Sequence, residues 1–134
     1  MISLINVYYE ENRFAILYRL LGERTPDQSI SHKGMPDYPE HVEFVESLPY
    51  KTWCFIHAPE EDGYVGTVYL SKQNEIGVFI FNQYQRKGYG QEAVKVLMEA
   101  NDGPFLANLN PQNTASAKMF ESLGFKHIQN TYAK

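Results

Sequence analysis

Between Gln85 and Gly90 the chain reads Gln-Arg-Lys-Gly-Tyr-Gly, between an apolar run (Glu75–Phe81) and an amphipathic one. A glycine loop that leaves a strand and opens a helix turns unpaired backbone N–H groups toward one point, at the positive end of the helix dipole. That arrangement suits a phosphate or pyrophosphate. The second segment with chemical potential is Asn113-Thr-Ala-Ser116-Ala-Lys-Met-Phe120-Glu121-Ser-Leu-Gly124-Phe125. Asn113 there is placed to cap a helix, with Ser116 and Phe120 along one side of it.

These residues need elements to position them. Leu4–Tyr8 reads as a short strand. Phe14, Leu17, Tyr18 and Leu21 recur at helical spacing over 11–23, and Gly22 suits its end. Thr25–Tyr38, with Pro26, Gly34 and Pro36, reads as a loop of roughly a dozen residues, a length that often marks function. A second helix is expected over Pro39–Leu48, capped near Asp37. Thr52–Ala58, Tyr64–Leu70 and Glu75–Phe81 read as three strands joined by short turns, an antiparallel meander. A helix over 90–100 and a strand over Phe105–Leu109 form a crossover, which makes the new strand parallel to 75–81. A last helix spans 113–123, and Phe125–Tyr132 is expected to return as a final strand. The predicted class is α/β (α+β), one domain over residues 1–134. Its mixed, mostly antiparallel twisted sheet has about six to seven strands, with about four helices on both faces.

Composition narrows the function. With 43% hydrophobic and 21% charged residues, the chain has the make-up of a soluble globular protein. It has no apolar run of membrane-spanning length and no signal-peptide pattern. The single Cys54 rules out an internal disulfide and fits a reducing cytoplasm, the expected location. A net charge of −4, with no basic cluster beyond Arg86-Lys87, disfavours nucleic acid, and neither it nor a membrane is an expected partner. His32, His41, His57 and His127 show no ligand spacing, so no metal is expected.

In order and spacing, the two segments together resemble the GNAT superfamily of acyl-CoA-dependent N-acetyltransferases. The resemblance is specific over Tyr64–Phe125 and looser toward the N-terminus. It implies a GNAT fold and acetyl-CoA as co-substrate. Gln85, Arg86, Lys87, Gly88, Tyr89 and Gly90 would cradle the pyrophosphate of coenzyme A, glycine being needed where a Cβ would obstruct its approach. Phe79, Ile80 and Phe81 would pair their backbone with the pantetheine arm. Asn113 and Ser116 would flank the cofactor's far side.

Transfer requires a deprotonated amine and a donor for the tetrahedral oxyanion; the Ile80 N–H is the candidate donor. Glu75 begins the strand where some related enzymes place a general base, acting directly or through water. Position 120, a proton-donating Tyr in many relatives, is Phe here. Tyr84, Tyr89 and Tyr132 are the candidate substitutes, none selected by spacing, and Cys54 is a candidate nucleophile whose simpler reading is a buried thiol.

The expected acceptor is a small-molecule primary amine attacked in a ternary complex, its pocket shaped by Thr25–Pro36 and the following helix. Ser-Ile-Ser-His (29–32) and Glu-His-Val-Glu-Phe-Val (40–45) are similar to branches that act on amino-sugar nucleotides. A protein N-terminus or lysine is the alternative acceptor, and a non-catalytic acyl-CoA sensor the alternative class. An exposed C-terminal strand would permit a homodimer.

Overall fold

The computed structural model describes residues 1–24 and 35–134. Four antiparallel strands lie in the order β1 (Ser3–Asn6), β2 (Thr52–His57), β3 (Tyr64–Leu70), β4 (Ile76–Ile80). β1 is shorter than expected because the Asn6 side chain accepts from Tyr8 N, turning Val7–Tyr9 into a 3-10 helix. The helices are α1 (Arg13–Gly22), α2 (Tyr38–Glu46), α3 (Tyr89–Glu99) and α4 (Thr114–Ser122). Asp37 caps α2 by accepting from Glu40 N, and Asn113 caps α4 by accepting from Ser116 N at 3.1 Å. None of these helices is long and apolar enough to cross a membrane.

Period-2 alternation builds the two faces. On one, Trp53 and Phe55 pack with Val7, Leu17 of α1 and Val45 of α2. On the other, Cys54 and Ile56 join Ala93, Val94 and Leu97 of α3 and Phe120 of α4. Tyr69 lies flat over Gly77, where a Cβ would come within 2.2 Å of the ring. That approach clears the first face for a cavity.

Two expected strands are absent among the described residues, so the sheet has four strands rather than six or seven. The Phe105–Leu109 segment contributes one parallel bridge, Glu75 to Leu106, with Ile76 N donating to Leu106 O at 2.7 Å. Beyond it the chain leaves β4. The Phe125–Tyr132 segment forms no strand: Phe125 turns back against Phe120, with ring centroids 5.1 Å apart, and residues 126–134 are exposed. Its natural neighbour, the 105–109 segment, supplies too little ladder to pair with, and Ile128 and Tyr132 find no apolar cover.

Candidate functional site

The departure of the chain from β4 opens a groove. The direction of each β4 backbone group follows from two hydrogen bonds. Phe81 N donates to Val65 O on the β3 side at 2.9 Å, whereas Ile76 N donates to Leu106 O on the opposite side. Alternation then turns the N–H groups of Val78 and Ile80 to the open edge and commits Phe79, paired with Thr67, to β3. This corrects the expected register. Phe81 N–H is bonded to Val65, its carbonyl accepts from Tyr84 N, and its side chain is core. Phe79 offers the groove its ring, not its backbone. Val78 and Ile80 are the residues with free N–H groups along this edge.

The groove, about 400 Å³, runs from this edge to the first turn of α3 and the start of α4. Gly88 is the N-cap of α3 at φ +82° and has no side chain to cap with. The first intrahelical bond is Glu92 N to Gly88 O, at 3.1 Å, so the N–H groups of Tyr89, Gly90 and Gln91 have no acceptor within the helix. A Cβ on Gly88 would meet nothing within 4 Å, and on Gly90 only ordinary contact with Ile80 at 3.6 Å. Glycine at 88 therefore answers to the left-handed backbone, and the space above it is open.

Of the expected residues, Phe79, Ile80, Gln85, Arg86, Gly88, Tyr89, Gly90, Asn113 and Ser116 line the groove. Lys87 does not; its ammonium pairs with Glu61 at 2.9 Å. Tyr89 donates to the same carboxylate at 2.7 Å, so the loop is pinned to the β2–β3 hairpin. Sequence reasoning missed Val78, Gln91, Met119, Leu20 and Arg24. Strand periodicity carried a signal for Val78 alone.

None of the candidate tyrosines turns a hydroxyl into the groove. Tyr84 donates to Asp62 O, the Glu61 and Glu60 carboxylates hold the Tyr89 proton well above the usual phenol range, and Tyr132 is exposed. Phe120 is buried in the core, as is Cys54, whose thiol burial pushes up.

A second cavity, about 320 Å³, lies on the opposite face of the sheet under α1 and α2. Trp53, Thr67, Tyr69 and Phe79 contribute from the strands, and His41 and Phe44 from α2. Of the expected Thr25–Pro36 wall, Pro36 contributes; residues 25–34 lie outside the described residues. Tyr50 and Tyr69 stack at 3.9 Å, and burial holds both hydroxyls protonated. His41 is buried, and its Nε2 has no partner among the described residues. Burial lowers its pKa below the usual imidazole value, so the neutral ring predominates at pH 7.

Glu75 lines neither cavity. Ser71 Oγ donates to one of its carboxylate oxygens at 3.1 Å and Asn108 Nδ2 to the other. By parity it shares the face of Gly77 and Phe79, beyond the Tyr69 ring. The groove and the second cavity meet at Leu20, Arg24 and Phe79, which line both.

The family model described as an acetyltransferase (GNAT) domain matches residues 24–126. No curated protein sequence matches. Among solved structures, a domain from Methanocaldococcus jannaschii superposes with a TM-score of 0.84 at 22% identity, over 98% of this chain and 92% of that one. A spermidine N-acetyltransferase from Vibrio cholerae, in complex with CoA and spermine, gives 0.80 at 14% identity, over 96% and 82%. A ribosomal-protein-alanine N-acetyltransferase from Brucella melitensis gives 0.66 at 18%, over 96% and 86%. At these identities the likeness is one of fold.

Proposed function

Because the chain belongs to the GNAT acetyltransferase domain family, we propose that it transfers an acetyl group from acetyl-CoA to a primary amine of a small molecule, by direct attack in a ternary complex. One observation carries this reading: an edge of free N–H groups and an uncapped helix line one groove, which meets a separate aromatic cavity at Phe79. The pyrophosphate sits at Tyr89–Gln91, the pantetheine arm extends β4 at Val78 and Ile80, and the amine enters from the cavity. A volume of about 320 Å³ suits a small acceptor.

The amine nitrogen bonds to the carbonyl carbon, the oxyanion accepts from Ile80 N–H, and the carbon–sulfur bond breaks to release the thiolate. With Phe at 120 and the tyrosines turned away, the thiolate leaves without a tyrosine acid. The amine's proton goes to the His41 imidazole, which lines the cavity and whose buried Nε2 has no partner among the described residues. On this assignment His41→Gln lowers kcat by about 100-fold. Glu75→Gln, removing a carboxylate bonded outside both cavities, changes it less than about threefold on the same scale. The reverse pattern, with a pH–rate profile flattened only by Glu75→Gln, would return the base to Glu75.

Thiol release from acetyl-CoA against a panel of small primary amines tests the proposal. Saturable release with at least one is expected. Tight acetyl-CoA binding without release from any amine or peptide would make the protein a sensor, and release with peptides alone would move the acceptor to protein.

A further inference from the structure

The cation at the shared mouth is not used by the transfer chemistry. The Arg24 guanidinium lies over the Phe79 ring, 3.9 Å from its centroid, and lines both cavities. Its Nε is buried with no acceptor. Among the described residues no neighbouring acid serves it. Glu23 accepts from Asn82 N at 2.7 Å, and among the described residues the ion pair formed is Lys87 with Glu61. Glu40 stands exposed at the cavity rim and forms no ion pair with Arg24. Among the described residues this half-buried guanidinium has no counter-charge, and its planar fork matches a carboxylate.

We propose that the acceptor is an α-amino acid with an apolar or aromatic side chain, its carboxylate held by Arg24. This deepens the transferase reading and rests on it. Two features of placement select the class. An α-amine and its carboxylate share one carbon, so a carboxylate at the mouth holds the amine beside Phe79 and the Ile80 edge, where the thioester carbonyl lies. The side chain then falls back among Tyr50, Trp53 and Tyr69, whose neutral rings receive an apolar body. A polyamine would bring a like charge to Arg24, and an extended peptide has no carboxylate next to its amine.

The test uses matched pairs that differ only in the carboxylate: L-phenylalanine with 2-phenylethylamine, and L-leucine with 3-methylbutylamine, with spermidine as a further probe. Binding to the CoA-loaded protein is measured by calorimetry, and turnover by thiol release from acetyl-CoA. At least one amino acid should be favoured over its amine by roughly 10- to 100-fold. Arg24→Leu should erase that preference, lowering the affinity for the amino acid by about 10- to 100-fold more than that for its matched amine, and Arg24→Lys should retain part of it.

Equal binding within both pairs, preference for spermidine, or an Arg24→Leu defect confined to CoA would overturn the proposal. Selective amino-acid binding without thiol release would keep the Arg24 site and remove the transferase reading. Thiol release from the plain amines with no discrimination would do the opposite.

Discussion

Replacing Gly88 by Glu is expected to weaken acetyl-CoA binding by at least about 100-fold while leaving the protein folded. Gly88 stands at φ +82° as the side-chain-free N-cap of α3, under open space and beside the unpaired N–H groups of Tyr89, Gly90 and Gln91. A glutamate carboxylate there would accept from those donors itself and repel a pyrophosphate. The left-handed backbone costs about 1–2 kcal/mol for a residue with a Cβ, and a negative charge at a helix N-terminus offsets part of it. Thermal stability should therefore fall by only a few degrees. Gly88→Ala carries the backbone strain without the charge, and its affinity loss should stay below about tenfold on the same reasoning. Wild-type affinity in Gly88→Glu would remove the loop from the cofactor site.

Gly66→Ala should lower thermal stability by roughly 10 °C, the largest effect expected of any single-methyl change in the sheet. Its Cβ would lie 2.1 Å from Phe79 O and 2.9 Å from Ile80 Cα, and both are backbone atoms that cannot rotate aside. β3 and β4 would have to part where Gly66 faces Ile80, so the proposed oxyanion donor, the Ile80 N–H, moves with them. Turnover should fall further than the loss of folded protein explains. Gly63→Ala is the control: its Cβ meets nothing within 4 Å, and its φ of +89° limits the cost to about 1–2 kcal/mol. Equal melting shifts for the two variants, by calorimetry, would show that close strand approach at Gly66 is not what the position requires.

The elements that local pattern specifies were legible in the sequence. The apolar stripe Ala93, Val94 and Leu97 marked α3, the turn residues around 60–63 set off β3, and Asp37 and Asn113 announced the caps they form. The strands expected at 105–109 and 125–132 were not formed because a strand exists through its partner. Once the 105–109 segment leaves β4 after one bridge, the later segment has no edge to join. The same dependence decides which β4 residues turn their N–H groups to the open edge. Alternation separates Val78 and Ile80 from Phe79 and Phe81, but which set faces the open edge follows from the Phe81–Val65 bond, made across the sheet. Arg24 and His41 carried no local signal. One is a basic residue just past a helix and the other sits on an amphipathic helix. Only tertiary packing buries an orphan nitrogen on each.

On the proposed binding mode, acetyl-CoA extends the sheet along the open edge of β4 and ends on the first turn of α3. Amide hydrogen exchange, followed residue by residue by NMR with and without coenzyme A, tests it most directly. The Val78, Ile80, Tyr89, Gly90 and Gln91 amides should gain protection on binding, while those of Phe79 and Phe81, already bonded within the sheet, should not change. Protection gained at Phe79 or Phe81 instead, or no change at Val78 and Ile80 in a saturated complex, would contradict it.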